Sequence, residues 1–255
     1  KWHLGSLPPY RPMDRGFEES IYEPGGMIGM TAEYWRNDVV DPVLSHNGEP
    51  EKYKGYRTDI WFEQSMQWML QRKEENRPFF VYMATLAPHG PHWIPKQYSA
   101  PYRYLDTGRR PVSDFYGMIA NIDENMGKLE RFLDQNQLRD NTILIFMTDN
   151  GGTRGVEIYN AGMRGRKGDV YEGGHRVPFF IRWPDGGLGG GKDIDILASH
   201  LDVYPTLMEL CGLDQFSPSG IDGISVARAL AGPSSNTPER FLFVRHDNGI
   251  KRDPN

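Results

Sequence analysis

Two short apolar runs, Phe-Phe-Val-Tyr-Met-Ala at 79–84 and Thr-Ile-Leu-Ile-Phe-Met at 142–147, constrain the fold of this chain more than any other feature. Runs of that length bounded by turn residues fit strands buried on both faces. Each follows a stretch with helical periodicity. Over 58–76, Phe62, Met66, Met69 and Leu70 share one face, with Thr58 or Asp59 as cap. Beyond Ser113, a second cap, Met118, Ile122, Met126, Leu129 and Leu133 recur every three or four positions. A third strand is predicted over 177–183, a flexible loop over 186–191, a helix around 201–211 and a last strand at 241–244. Residues 6–56, rich in proline, glycine and aromatics, read as long ordered loops over the core. The alternation predicts an α/β fold with a mostly parallel central sheet flanked by helices, and ligands beyond the carboxyl ends of its strands.

At 255 residues the chain can bury a substantial core, and no charge block or low-complexity linker divides it, so one domain is expected. A net charge of −5 leaves no electrostatic footprint for nucleic acid. No stretch approaches the ~18 apolar residues of a membrane span. Cys211 is the single cysteine, which excludes an internal disulfide. At the apolar end of the last predicted helix, it is expected to be a buried structural thiol.

Both apolar runs end in chemistry-bearing sequence. After 79–84 comes Pro88-His89-Gly90-Pro91-His92, whose prolines hold two imidazoles near the strand end, suited to donating to an oxyanion or protonating a leaving oxygen; a pair of loop histidines bonded to backbone carbonyls is the plain alternative. After 142–147 comes Thr148-Asp149-Asn150-Gly151-Gly152, which presents a carboxylate and an amide oxygen together, hard ligands for Ca²⁺ or Mg²⁺. A strand-ending Asx turn gives the same sequence. Lys167 lies in a glycine-rich stretch with Arg164 and Arg166, where backbone can approach a ligand and cations can hold an oxyanion; a solvated basic turn is the plain alternative. Lys1 and His3 form a comparable pair. Without a cysteine or third histidine nearby, structural zinc is not expected. Glu172 and Arg176 read as a turn-shaping pair, His200 and Asp202 as helix caps, and His246-Asp247 as structural.

Lys1-Trp2-His3-Leu4-Gly5, Ala87-Pro88-His89, Thr148-Asp149-Asn150-Gly151 and the stretch RGRKGDVYEGGHRVP from Arg164 to Pro178 together resemble the sulfatase family of the alkaline phosphatase superfamily, in the family's order and across nearly the whole chain. The resemblance implies an alkaline phosphatase-like α/β core, incomplete here. It makes residues 1–240 a partial catalytic core and 241–255 the start of a truncated C-terminal region. It implies that Asp149 and Asn150 ligate Ca²⁺, ahead of Mg²⁺, and that Lys1 and Lys167 hold the substrate's sulfate. His3 would contact a hydrated formylglycine nucleophile and His89 would touch the sulfate near its leaving oxygen as general acid. His92, Arg164 and His175 would line the pocket for the rest of the substrate.

Family members also carry a paired-aspartate strand near the N-terminus and a Cys- or Ser-x-Pro/Ala-x-Arg sequence whose first residue becomes formylglycine. Neither occurs here, and Cys211, followed by Gly-Leu-Asp, does not fit that pattern. The chain therefore reads as an internal piece of a sulfatase, and by itself is expected to turn over no sulfate ester. The expected parent is a sulfuric ester hydrolase acting on a sulfated sugar or glycan, with Trp2, Trp35 and Trp93 as candidate sugar-stacking residues. Two alternatives are a phosphoester or phosphonate hydrolase of the same superfamily and a nucleophile-free homologue that binds sulfated glycans. Family habit places the parent in the periplasm or outside the cell; oligomeric state is unspecified.

Overall fold

Helix formation is legible in the first half of the chain, where the computed structural model puts α1 at Arg57–Glu74 and α3 at Ser113–Gln135, with a short α2, Lys96–Ser99, between them. The structure describes residues 1–26, 33–107, 111–213, 215, 218–232 and 239–245. They fall into two compact units, 1–136 and 137–255.

In the first unit, α1 buries Phe62 and Met69 and α3 buries Met118, Leu129 and Leu133, each within the predicted apolar stripe, while Met66 and Leu70 are half-buried and α1 also buries Ile60, which the stripe does not include. The caps differ from expectation. The Asp106 carboxylate accepts from the backbone nitrogens of Val112 and Ser113 at 2.8 and 2.9 Å. It also accepts from the Ser113 hydroxyl at 2.7 Å. Helix α3 is thus capped from outside its own sequence. Thr58 is buried, and no side chain caps α1. Asp59 instead accepts hydrogen bonds from Asn121 and Asn125 of α3 at 2.8 and 2.7 Å. Both asparagines are almost fully buried, and their amides need that acceptor.

Residues 6–56 are not merely loops. They contain a three-stranded antiparallel sheet of β1 (Ile21–Tyr22), β2 (Val43–His46) and β3 (Glu49–Lys52). Asn47-Gly48 turns β2 into β3 with both φ angles positive, 50° and 98°. That is the backbone a two-residue hairpin requires. Leu44 of β2 packs with Tyr53 and Ile60, joining the sheet to α1.

The run 79–84, predicted as a central strand, joins no β-ladder among the described residues. A strand needs a neighbour to satisfy its backbone, and no described segment supplies one. Its alternate residues Phe80 and Tyr82 are 62% and 60% exposed and meet the Phe17 ring at 6.1 and 6.5 Å.

In the second unit the two remaining apolar runs form β4 (Leu144–Met147) and β5 (Phe179–Arg182) inside their predicted ranges. They pair antiparallel, from Leu144 with Arg182 to Met147 with Phe179. A parallel central sheet is thus not seen among the described residues. Between β4 and β5 the chain forms loops and one four-residue helix, α4 (Glu172–His175), rather than the long crossover helix parallel strands use, and it re-enters beside the end it left. Helix α5 (Val203–Leu210) is followed by Cys211, which is exposed rather than buried because it lies just past the helix's last turn. Leu188, Val226 and Leu230, the last on α6 (Ala227–Ala231), form this unit's apolar cluster. The predicted strand at 241–244 does not form, with Phe241 and Phe243 exposed. His246 and Asp247 lie outside the described residues. No described helix is long and apolar enough to cross a membrane.

Candidate functional site

In the second unit the chain leaves β4 at Met147 and turns at once. His200 Nε2 donates to the Thr148 carbonyl at 2.8 Å, which fixes the exit. Asp149 follows, exposed. The Asn150 side-chain nitrogen donates to the Gly151 carbonyl at 3.0 Å, leaving its amide oxygen as the acceptor it presents. Two backbone bonds then tie this turn to the glycine-rich stretch: Gly151 N to Gly174 O and Lys167 N to Gly152 O, each 3.0 Å. A β-carbon on Gly151 would stand 1.8 Å from the Gly173 carbonyl oxygen, and one on Gly173 would stand 2.3 Å from that of Gly165. Only glycines permit this approach.

The two candidate metal ligands and Lys167 thus belong to one backbone-bonded assembly. Asn160 reinforces it by donating to the carbonyls of Met163 and Gly165, both at 2.8 Å. The Arg164 guanidinium lies over the Tyr171 ring, 3.7 Å from its centroid. Stacking therefore occupies one of its faces. His175 is exposed at the end of α4, beside the Glu172–Arg176 pair at 3.4 Å that the sequence predicts. Asp149 and Asn150 offer adjacent hard oxygens, and that donor set fits part of a Ca²⁺ shell. Among the described residues no group of three or more His, Cys, Asp or Glu side chains could hold a metal ion, so the fit is that of two donors.

In the first unit the Lys1 backbone nitrogen donates to the Ala84 carbonyl, which sets the opening motif beside the end of the 79–84 run. His3 is exposed with φ of 53°. This left-handed conformation is uncommon for a side-chain-bearing residue and frequent at functional sites. Trp2 Nε1 donates to the Tyr10 carbonyl at 2.6 Å, and Gly5 lies where a β-carbon would meet that of Tyr10 at 2.4 Å. His89 is exposed; its backbone nitrogen donates to Leu86 and its Nδ1 to the Gly90 carbonyl at 2.8 Å. A carbonyl only accepts, so Nδ1 carries the hydrogen and Nε2 is the atom left for a ligand. His92 is half-buried with its ring edge-on to Phe115 at 5.7 Å, a packing role beside any contact with substrate. Among the tryptophans, Trp35 is 92% exposed, while Trp93 packs near Tyr56.

Two buried ion pairs carried no signal in the sequence. Arg57 at the start of α1 pairs with Glu23, their side chains 5% and 4% exposed. Burial pushes the Glu23 carboxyl above its ordinary range, and Arg57 only partly opposes that. Asp202, 2% exposed, is held in place from several sides: its carboxylate accepts from the backbone nitrogens of Ser199 and Ile224 at 2.7 and 3.0 Å and pairs with Arg240. Burial alone would raise the Asp202 carboxyl, yet Arg240 and the backbone donors outweigh it and hold the group below its usual range.

A carboxylate and an amide oxygen bound by backbone to a lysine-bearing glycine loop make up the kind of donor set that suits an oxyanion next to a hard cation. The comparisons make that kind specific: the sulfatase family model matches residues 1–213, and the chain belongs to the sulfatase family. It is 29% identical over 241 residues to an uncharacterized sulfatase, YdeN, of Escherichia coli K12, covering 93% of this chain and 40% of that protein. It is 26% identical over 268 residues to N-acetylgalactosamine-6-sulfatase of Canis lupus familiaris, covering 97% of this chain and 48% of that one. Among solved structures it is similar to Ps i-CgsB in complex with k-i-k-neocarrahexaose, with 28% identity, a TM-score of 0.75, and coverage of 89% of this chain and 53% of the other. Its fold is accordingly the alkaline phosphatase-like one of sulfatases. The chain spans about half the length of the curated relatives it matches.

Proposed function

We propose that the protein containing these residues hydrolyses sulfate esters, and that its substrate is a sulfated sugar or glycan. The observation that carries this reading is the joining of Asp149, Asn150 and Lys167 in one segment by the Gly151–Gly174 and Lys167–Gly152 backbone bonds. Membership of the sulfatase family supports the sulfate, and the names of the relatives, an N-acetylgalactosamine-6-sulfatase and a protein bound to a neocarrahexaose, support the sugar.

In this reading Lys1 and Lys167 hold the sulfate oxygens as point charges and disperse the charge that builds there as the ester bond breaks. His89, its Nδ1 hydrogen committed to Gly90, gives a proton from Nε2 to the departing alcohol oxygen. His3 contacts the nucleophile, expected to be a formylglycine made from the first residue of the family's Cys- or Ser-x-Pro/Ala-x-Arg sequence. Asp149 and Asn150 hold part of the coordination shell of a Ca²⁺, which when bound supplies Lewis-acid charge stabilisation at the sulfate. His92, Arg164 and His175 line the region occupied by the rest of the substrate. The proposal includes a mostly parallel central sheet in the longer protein, supported by the alternation of apolar runs with helices, and an exported location.

The test is turnover by the longer protein of matched sulfate and phosphate esters, 4-nitrophenyl sulfate and 4-nitrophenyl phosphate, with and without Ca²⁺, and of N-acetylgalactosamine 6-sulfate. Preference for the sulfates is expected. Preference for the phosphate transfers the site to phosphoester chemistry, and absence of turnover with retained binding of sulfated glycan makes it a binding protein. Lys167→Ala is expected to lower kcat/KM at least about a hundred-fold with the fold intact; an unchanged rate removes Lys167 from the site.

A further inference from the structure

Beside His3, a cavity of about 310 Å³ opens in the first unit between the Lys1–Gly5 motif and the loop after β1. Its walls include Trp2, His3, Ser6, Glu23, Gly25 and Gly26. That volume is at the low end of small-molecule sites, enough for one ring and not for a chain. Trp2 and Ser6 have already given their side-chain donors to the carbonyls of Tyr10 and Pro24. Glu23 differs from them. Its side chain is 4% exposed, Arg57 holds it on the protein side, and it still reaches the cavity wall.

Packing does not account for this arrangement. A buried ion pair gains little net stability over an apolar pair of the same volume, because both charges lose their hydration. A carboxylate accepts at about four lone-pair sites and offers no hydrogen when ionised, so what it adds to a cavity is the capacity to receive hydrogen bonds. It also repels anions. A ligand there must bring donors and keep its own negative charge elsewhere.

We propose that this cavity is a substrate subsite taking the hydroxyl-bearing ring of a sulfated sugar, with Glu23 accepting from ring hydroxyl or amide groups and Trp2 supplying an apolar wall. Arg57 is the positioning residue: it acts through Glu23 and does not touch the ligand. The carboxylate turns the sulfate away from the cavity and toward Lys1, which sets the sense in which the substrate enters. The inference rests on the sulfatase reading and adds to it how the sugar is recognised.

The experiment compares the longer enzyme with its Glu23→Gln and Gly25→Leu variants on two substrates, 4-nitrophenyl sulfate and the sulfated monosaccharide that the parent turns over best. Glu23→Gln removes the charge, and Gly25→Leu narrows the cavity with the Glu23–Arg57 pair intact, so a folding failure of the first leaves the second to decide. The ratio of kcat/KM for the sugar over the aryl ester is expected to fall at least about ten-fold, the scale of one hydrogen bond to a charged group, and chiefly through KM. A ratio that stays within two-fold in both variants overturns the subsite, whether both rates fall together or neither moves. If the parent hydrolyses no sulfate ester at all, the sulfatase reading fails and this inference falls with it; if the parent is active and the ratio holds, only this inference fails.

Discussion

Two of the regions that carry the family's motifs are held by different means. Segment 149–176 in the second unit is fastened by backbone to backbone, through Gly151–Gly174, Lys167–Gly152 and Gly173–Arg164, with glycines where carbonyls nearly touch. The opening stretch 1–26 in the first unit adds fastenings made by side chains to its β1 ladder and the Lys1–Ala84 bond: Trp2 to Tyr10, Ser6 to Pro24, Glu23 to Arg57. Hydrogen bonds made by backbone tolerate any side chain that fits, whereas those made by side chains disappear with the residue. The glycine-bound segment should therefore be sensitive to added atoms and the opening stretch to removed ones.

The largest effect tests the first half of that contrast. Gly151→Ala would drive a β-carbon into the Gly173 carbonyl, and overpacking against backbone has no flexible side chain to absorb it. Destabilisation of at least about 3 kcal/mol is expected by urea unfolding. A loss below about 1 kcal/mol, the ordinary cost of a point mutation, would show that the loop yields, and the contrast would collapse.

Asp202→Ala sharpens the comparison within the second unit, because this anchor is made by side chain. Removing the acid leaves Arg240, whose side chain is 15% exposed, without its buried partner. The expected cost is about 3 kcal/mol, read by the same unfolding measurement. A smaller effect follows from Asp59→Ala, which takes the acceptor from two buried asparagine amides in the first unit. It is expected to cost about 1–3 kcal/mol. The corresponding Asp59→Asn, with one acceptor oxygen kept, should recover part of that loss.

The smallest effect is a pH dependence at His46. Its Nδ1 meets Glu51 at 2.5 Å, its Nε2 meets Glu19, and the Tyr53 hydroxyl lies 3.3 Å from Nδ1. Burial lowers the His46 pKa, but the hydrogen bonds to Glu51 and Glu19 together outweigh it and the net direction is upward. A raised folded pKa makes this contribution complete below the unfolded value near 6.5 and lost as pH rises through the folded value. The side chains are partly exposed, so less than about 1 kcal/mol is at stake. Thermal unfolding followed from pH 5 to pH 9 should show a decline that is shallower in His46→Gln; parallel curves would remove the histidine from this role.

Periodicity made α1, α3, α5, β4 and β5 legible because each carries a regular apolar stripe or a continuous apolar run. The β1–β3 sheet escaped, although Asn47-Gly48 is a strong hairpin signal, because its strands are short and β3 is exposed along its length. Pairing partners were not legible either: an apolar run marks a strand but not the edge it meets, and 79–84 and β4 departed from expectation for that reason. For the candidate site, the strand-end and glycine-rich sequences marked Asp149, Asn150 and Lys167 as candidates and the resemblance gave them roles, while the bonds that unite them involve main-chain atoms every residue has. Glu23, Arg57 and Arg240 were invisible because their partners lie more than thirty residues away in sequence.

The near-contact of Gly151 with Gly173 also bears on how such a protein can diverge. Most positions in a chain 26–29% identical to its relatives differ from theirs. A side chain at either of these two glycines requires the opposite strand of the loop to retreat, and that retreat breaks the Gly151–Gly174 bond holding Asp149 and Asn150. The pair is therefore a lock on evolutionary drift: in a mutational scan both positions should stay empty, and a descendant that escapes must rebuild the whole loop rather than change one codon.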